Sequence, residues 1–410
     1  MNGVIERLRA NRQLVLFVVG AGLLAAGGGV FEIVFPNYLK DTFNIAADAR
    51  GALEFPRELP GFLTALFAGL LFFLPETRIA AVSSLVIGVG LIGMGLGGSV
   101  WWGMMVFMIL WSAGSHLMMP VSASLAIALG TQGRHGRRLG QLRAVSLAAG
   151  IIGAAVIWTG MKYLHWSYAQ VFIGGGVVAI GAAVVFHFMN MPDAHLKRPR
   201  FVYNRKYRLY YVLALLFGAR KQIFITFGPW VIIEVFKQPP TIFAEMLVIG
   251  AVIGIFFQPL LGRAIDRFGE RTVLMVDAVF IFGVCMGYAF SHGIANKALA
   301  LWVVCACYVG DMLLFGVNMA RSTYLRKIAL KDEDVSPTLA AGTSIDHIAS
   351  MTLPAAAGVA WVTSANSYQT VFFAAAGIAV IMFICAALIR TPAAAGAAEA
   401  PAAAPAPIPD

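Results

Sequence analysis

Gly262-Arg263-Ala264-Ile265-Asp266-Arg267-Phe268-Gly269-Glu270-Arg271 separates two long apolar stretches, with two glycines around an acidic–basic pair and a closing arginine. A short polar turn of this composition lets two apolar helices reverse tightly. It places the carboxylate where it can cap or bridge helix ends and leaves the arginines at the level of lipid headgroups. That reading holds only if the flanking stretches are membrane spans, and the rest of the chain has to supply them.

The composition does so. Of 410 residues, 60% are hydrophobic and only 12% charged, against roughly 25% charged in an average soluble domain. Apolar runs recur along the whole chain, each long enough to cross a hydrocarbon core of roughly 30 Å as a helix. Twelve spans are predicted: Gln13–Phe35, Glu54–Leu74, Ile79–Leu96, Trp102–Leu129, Arg143–Tyr163, Tyr168–Phe188, Leu209–Phe236, Ile242–Leu261, Thr272–Phe290, Ala298–Ala320, Leu339–Thr363 and Tyr368–Ile389. The N-terminus starts basic and then apolar like a secretory signal, but its apolar run is longer than a signal core and leads into further spans, so it reads as an uncleaved first helix.

Basic residues set the expected orientation, because short loops rich in lysine and arginine stay cytoplasmic. One side holds Arg7, Arg9, Arg12, Arg134, Arg137, Arg138, the run Lys197 to Arg208, Arg263, Arg267, Arg271, Arg326, Lys327 and Lys331. The opposite loops hold only Lys40, Arg50, Lys162, Lys237 and Lys297. Both termini are therefore expected on the cytoplasmic side of a multi-pass protein, in a bacterial inner membrane. The net charge of +10 follows from this topology, so nucleic acid is not expected as a partner. Cys285, Cys305, Cys307 and Cys385 fall within spans and lack metal-site spacing with histidine, which predicts neither a disulfide nor a metal.

The turn at 262–271 closely resembles the Gly-x-x-x-Asp-Arg-x-Gly-x-Arg element of the major facilitator superfamily, found between helices 2 and 3 or 8 and 9. Its position between the eighth and ninth spans agrees with that. A degenerate counterpart of equal length, Gly69 to Arg78, lies between the second and third spans with Phe73-Leu74 in place of Asp-Arg. The resemblance implies an all-α membrane protein of twelve transmembrane helices in two six-helix bundles with inverted repeats around a midplane site. The expected divisions are 1–190 for the first bundle, 191–208 for a basic linker, 209–390 for the second bundle and 391–410 for an Ala/Pro tail that cannot bury a core. Helix 5 reads Gly150-Ile-Ile-Gly153 without the Gly-Pro that drug-exporting antiporters often carry.

Ionisable groups at bilayer depth are costly and mark function. His116, Arg220, Lys221 and Asp311 fall near the middle of their spans. Helical spacing puts Ser112, Ser115, His116 and Met119 on one face, Cys307, Asp311, Phe315 and Asn318 on another, and Thr343, His347 and Ser350 on a third with Asp346 at its edge. Arg220 and Lys221, with Gln222 following, point to an anionic or zwitterionic solute, with His116 beside them as a binding group. Neighbours on a helix differ by about 100°, so one of the two cations is expected to pair with Asp311.

Asp311, Asp346 and His347 are the candidate proton-coupling groups. Glu32 and Arg57 are candidates for an outer gate between the first two spans, the alternative being that the charges of Glu54 to Pro60 mark a solvent-exposed helix start. Gly262, Asp266, Arg267, Gly269 and Arg271 form the candidate inner gate. The resemblance implies a secondary active transporter of a small solute driven by a gradient; the buried carboxylates and histidines point to protons as the coupling ion, sodium being the alternative without a recognisable cluster of oxygen ligands. Alternatives are efflux of amphipathic drugs or organic cations and a nontransporting sensor on the same scaffold. No phosphate-binding loop or nucleophile constellation supports an enzyme, and no cofactor is expected.

Overall fold

The structure, a computed structural model, describes residues 2–64, 73–129, 135–191 and 204–390. Gly69, Arg134, most of the linker (192–203) and the tail (391–410) lie outside them. The helices are α1 (Asn2–Phe43), α2 (Ala47–Ala52), α3 (Glu54–Phe62), α4 (Glu76–Gly97), α5 (Trp101–Ala128), α6 (His135–Tyr163) and α7 (Tyr168–His187), followed by α8 (Arg208–Glu234), α9 (Thr241–Phe290), α10 (Lys297–Leu314), α11 (Asn318–Ile328), α12 (Asp332–Thr363) and α13 (Tyr368–Ala387). No sheet occurs among the described residues.

Nine of these helical stretches are long and apolar enough to cross a bilayer. One of them, Thr241–Gly293, carries two spans end to end, and α10 with α11 forms one span interrupted by a 3-10 turn at Phe315–Val317. The second span, broken at Leu53 between α2 and α3, and the polar-faced α12 complete the twelve.

The predicted ends move outward where polar residues continue a helix. Hydropathy ends the first span at Phe35, yet α1 runs on through Pro36 to Phe43. The second span starts at Ala47, not Glu54, because Asp48 and Arg50 sit inside a helix that hydropathy alone would exclude. Arg50 is therefore not a loop cation: it is 3% exposed and belongs to the protein interior.

In the turn between the eighth and ninth spans the backbone stays helical except at Gly269, with φ 78° and ψ 163°. That region is essentially closed to residues with a Cβ, so Gly269 is what lets the two spans fold back. Gly262 has no such demand, and a Cβ there would meet nothing within 4 Å.

Helices α1 and α4 to α7 pack together as one bundle, and α8, α9 and α13 form the heart of the other. The bundles meet where α2 and α3 lie along α12 and where α6 lies against α9. The approach of α2 to α12 is a backbone contact: a Cβ on Gly51 would fall 2.1 Å from the Pro354 carbonyl oxygen, and one on Gly358 would fall 2.4 Å from that of Ala47. Small residues are what allow membrane helices to come this close. Further contacts across the bundles cluster at the same end. Asn37 donates to the Gln238 carbonyl at 3.0 Å, Lys40 pairs with Glu234 at 2.6 Å, and Trp158 donates to Glu245 at 2.8 Å.

Gly269→Ala should lower stability in detergent by about 1–3 kcal/mol, whereas Gly262→Ala should leave it unchanged. Thermal unfolding of the two purified variants checks this.

Candidate functional site

Arg50, Glu54, Arg57 and Glu58 are spaced so that they share one face of the α2–α3 segment, and that face turns inward. All four are 7% exposed or less. Charges in such surroundings must be matched one against another, and they alternate along the chain. Arg50 bonds Glu54 Oε1, Arg57 Nε donates to Glu54 Oε2 at 2.6 Å, and Arg57 Nη2 lies 2.7 Å from Glu58 Oε1.

Two contacts carry the series into the second bundle. Gln222 Nε2 of α8 donates to Glu54 Oε2 at 2.7 Å, and His347 Nδ1 of α12 lies 2.9 Å from Glu58 Oε2. His116 of α5 approaches the same oxygen with Nε2 at 3.8 Å. Its Nδ1 is 2.9 Å from the Ser112 carbonyl oxygen, a contact that requires the proton on Nδ1 and leaves Nε2 free to accept. Ser112 in turn donates to the Arg57 carbonyl.

In the second bundle both midplane cations are engaged. Arg220, 1% exposed, pairs with Asp311 at 2.6 Å and lies among Phe217, Phe224 and Phe315, whose ring centroids are 5.3–5.9 Å from its guanidinium carbon. Lys221, a third of a turn round the helix, pairs instead with Asp346 at 2.7 Å, and Ser350 donates to the same carboxylate at 3.2 Å. The sequence reading leaves one cation free for solute; the structure pairs both, because α10 and α12 each supply a carboxylate at this level.

Glu32 and Arg57 do not form the expected carboxylate–arginine pair. Arg57 is held by Glu54 and Glu58, three residues back and one ahead on its own segment, before α1 can compete. Nor is the Glu54 to Pro60 run a solvent-exposed helix start, since Glu54 is 0% exposed. Glu32 instead lines, together with Asp311, a cavity of about 210 Å³ between the bundles, walled by Phe224, Phe243, Tyr308, Phe315 and Met312. A second space of about 530 Å³ is a groove of the first bundle between Phe17, Trp111, Ser115, Met119, Ser122 and Ser146. These residues lie on the parts of α1, α5 and α6 that run toward the Gly262–Arg271 end.

In the turn at that end, Asp266 and Arg267 are exposed, and Asp266 has no ion-pair partner among the described residues. The buried carboxylate is Glu270, 2% exposed, which meets Lys327 at 2.8 Å. Arg78, the last residue of the degenerate counterpart, donates to the His187 carbonyl at 2.6 Å. Sequence reasoning passes over Asp277 and Arg321, 5% and 7% exposed, which line a small void together. Asp277 lies inside the predicted span Thr272–Phe290, which is the signal that marks it, whereas Arg321 falls one residue past the predicted end at Ala320.

The architecture defines a class: a multi-pass helical membrane protein whose two bundles enclose charged groups at the midplane. The model of the major facilitator superfamily matches residues 17–329, and the chain belongs to that family. An uncharacterized MFS-type transporter of Bacillus subtilis, YybF, is 26% identical over 219 residues, 46% of this chain and 52% of that protein. The chain thus spans about half the length of the curated relative it matches. Among solved structures it resembles the nucleoside transporter NupG, at 14% identity with a TM-score of 0.71 over 92% of this chain and 98% of that one. A bacterial homologue of the iron transporter ferroportin, in an inward-facing state, has 14% identity and a TM-score of 0.72 over the same shares. A peptide transporter, POT, has 12% identity and a TM-score of 0.70 over 91% and 94%. At these identities the likeness is one of fold, and it is the fold of superfamily transporters.

Arg220→Leu should cost about 3–5 kcal/mol by stranding Asp311, whereas the double variant Arg220→Leu/Asp311→Leu should recover most of that loss. A double-mutant cycle by unfolding in mixed micelles checks the coupling.

Proposed function

We propose that the protein is a secondary active transporter, not an enzyme, that moves a small zwitterionic or anionic solute by alternating access coupled to protons. The observation that carries this reading is the Arg220–Asp311 pair, whose Asp311 lines the cavity between the bundles while Arg220 lies buried behind it. A solute bearing a carboxylate can take the guanidinium from Asp311 in a two-point contact, and its ammonium, if present, can take the released carboxylate. The solute's ammonium and a proton compete for the released Asp311 carboxylate, which links solute occupancy to proton binding. Lys221 and Asp346 offer a second pair of the same kind. Because every midplane cation already has a carboxylate, a zwitterion fits better than a simple anion: it replaces both members of a pair without leaving either charge stranded.

The asymmetry of the interface supports alternating access. Contacts between the bundles gather at the midplane and at the Phe43–Leu53 end, while the groove of the first bundle runs toward the Gly262–Arg271 end. By the distribution of arginine and lysine, that second end faces the cytoplasm of a bacterial inner membrane, with both termini on the same side. The exposed turn at Gly262–Arg271 would then gate the inner side.

A second reading, export of amphipathic cations, is favoured by the two carboxylates, Glu32 and Asp311, that line one cavity with aromatic walls. Transport in proteoliposomes separates the two. Amino acids and other zwitterions should accumulate when a proton gradient is imposed, and Arg220→Gln should abolish this while Glu32→Gln should not. The reading fails if uptake survives both collapse of the gradient and Arg220→Gln, or if only lipophilic cations move.

A further inference from the structure

Glu58, His116 and His347 bring three metal-ligating atoms within 4.8 Å of one another, from α3 and α5 of one bundle and α12 of the other. We propose that they form a binding site for a transition-metal dication of the zinc type, which ties the two bundles together at the midplane.

The geometry is that of a site needing little adjustment. Ligands about 2.1 Å from a tetrahedral zinc lie roughly 3.4 Å apart. Here His347 Nδ1 and His116 Nε2 are 2.9 and 3.8 Å from Glu58 Oε2, on either side of that value. Two of the three ligands are also held from behind. The Ser112 carbonyl fixes His116 with its proton on Nδ1, so that Nε2 presents a lone pair, the arrangement that metal-binding imidazoles ordinarily have. Arg57 occupies Glu58 Oε1 at 2.7 Å and leaves Oε2 for the metal. At His347 the metal would replace the proton shared with Glu58.

Space has been cleared for the two rings. A Cβ on Gly61 would fall 2.6 Å from both His116 Cδ2 and His347 Cε1, so the rings lie directly against the α3 backbone, with centroids 5.0 Å apart. Nearby cations do not forbid the ion: Arg57 is shared with Glu54 at 2.6 Å, and Lys221 is matched by Asp346 at 2.7 Å. Two imidazoles and one carboxylate favour zinc and its neighbours over magnesium or calcium, which prefer all-oxygen shells. Three protein ligands leave a fourth position for water or solute.

The test is a binding measurement that involves no solute flux, so its outcome is independent of the transport reading. Chelator-treated full-length protein in detergent is titrated with Zn²⁺ in competition with a chromophoric chelator, and thermal unfolding is followed with and without the ion. One equivalent of Zn²⁺ per chain and a rise in Tm are expected, with no effect of Mg²⁺. His116→Gln in one bundle and His347→Gln in the other should each weaken affinity at least tenfold and abolish the rise. His347→Cys, which restores a zinc-binding atom from the same helix, should stay within tenfold of the unsubstituted protein and shows that position 347 tolerates substitution. Absence of stoichiometric Zn²⁺ binding, an equal response to Mg²⁺, or unchanged affinity in His347→Gln overturns the proposal. Equal weakening in His347→Cys and His347→Gln, with both folded, does so as well.

Discussion

A charge inside a bilayer-spanning protein must find an opposite charge or a hydrogen-bonding partner, since leaving it bare in apolar surroundings costs several kcal/mol. In this protein that requirement decides which helices meet at the centre. Arg50, Glu54, Arg57 and Glu58 neutralise one another along a single face, and the acceptor capacity left over is filled from across the interface by Gln222 and His347. In the second bundle, Arg220 and Lys221 point to different helices and draw α10 and α12 in through Asp311 and Asp346.

The bundles are thus joined in two physically different ways. At the Phe43–Leu53 end the contact of α2 with α12 is backbone against small residues, at Gly51 and Gly358, and allows no side chain between. At the midplane it consists of a few hydrogen bonds and ion pairs whose partners water or a polar solute can replace at modest cost. Close packing gives a definite closed geometry at one end, and exchangeable polar contacts at the centre keep it from being permanent. The cavity that Glu32 and Asp311 line adjoins the Arg220–Asp311 pair, through Asp311.

Much of the fold is legible in the sequence because hydropathy reports directly on burial in lipid, and a polar turn with Gly269 between two apolar runs has few other readings. The ends of α1 and α2 are not legible. Lys40, Asp48 and Arg50 look like loop residues until the partners that draw them into helices are known. Of the candidate site, Arg220, Lys221, Gln222, His116, Asp311, Asp346 and His347 stand out as polar groups on regular faces, and all of them prove to be paired. Glu54 and Glu58 look like the start of a solvent-exposed helix, although their spacing with Arg50 and Arg57 already places them on one face. Asp266 draws attention by its motif, yet Glu270, four residues on, is the buried and paired carboxylate.

The sequence by itself determined that the chain is a bundle of membrane helices, that it reverses within Gly262–Arg271, and that His116, Arg220, Lys221 and Asp311 lie at bilayer depth. These follow from hydropathy, from backbone sterics and from the 3.6-residue period, all of which are local. Only the tertiary structure decided the pairing: that Arg220 takes Asp311 and Lys221 takes Asp346, that Arg57 serves Glu54 and Glu58 and not Glu32, and that Glu58, His116 and His347 come together from three helices. Pairing depends on distances between residues far apart in the chain. Those distances are fixed by how closely helices pack, and helical period carries no information about that.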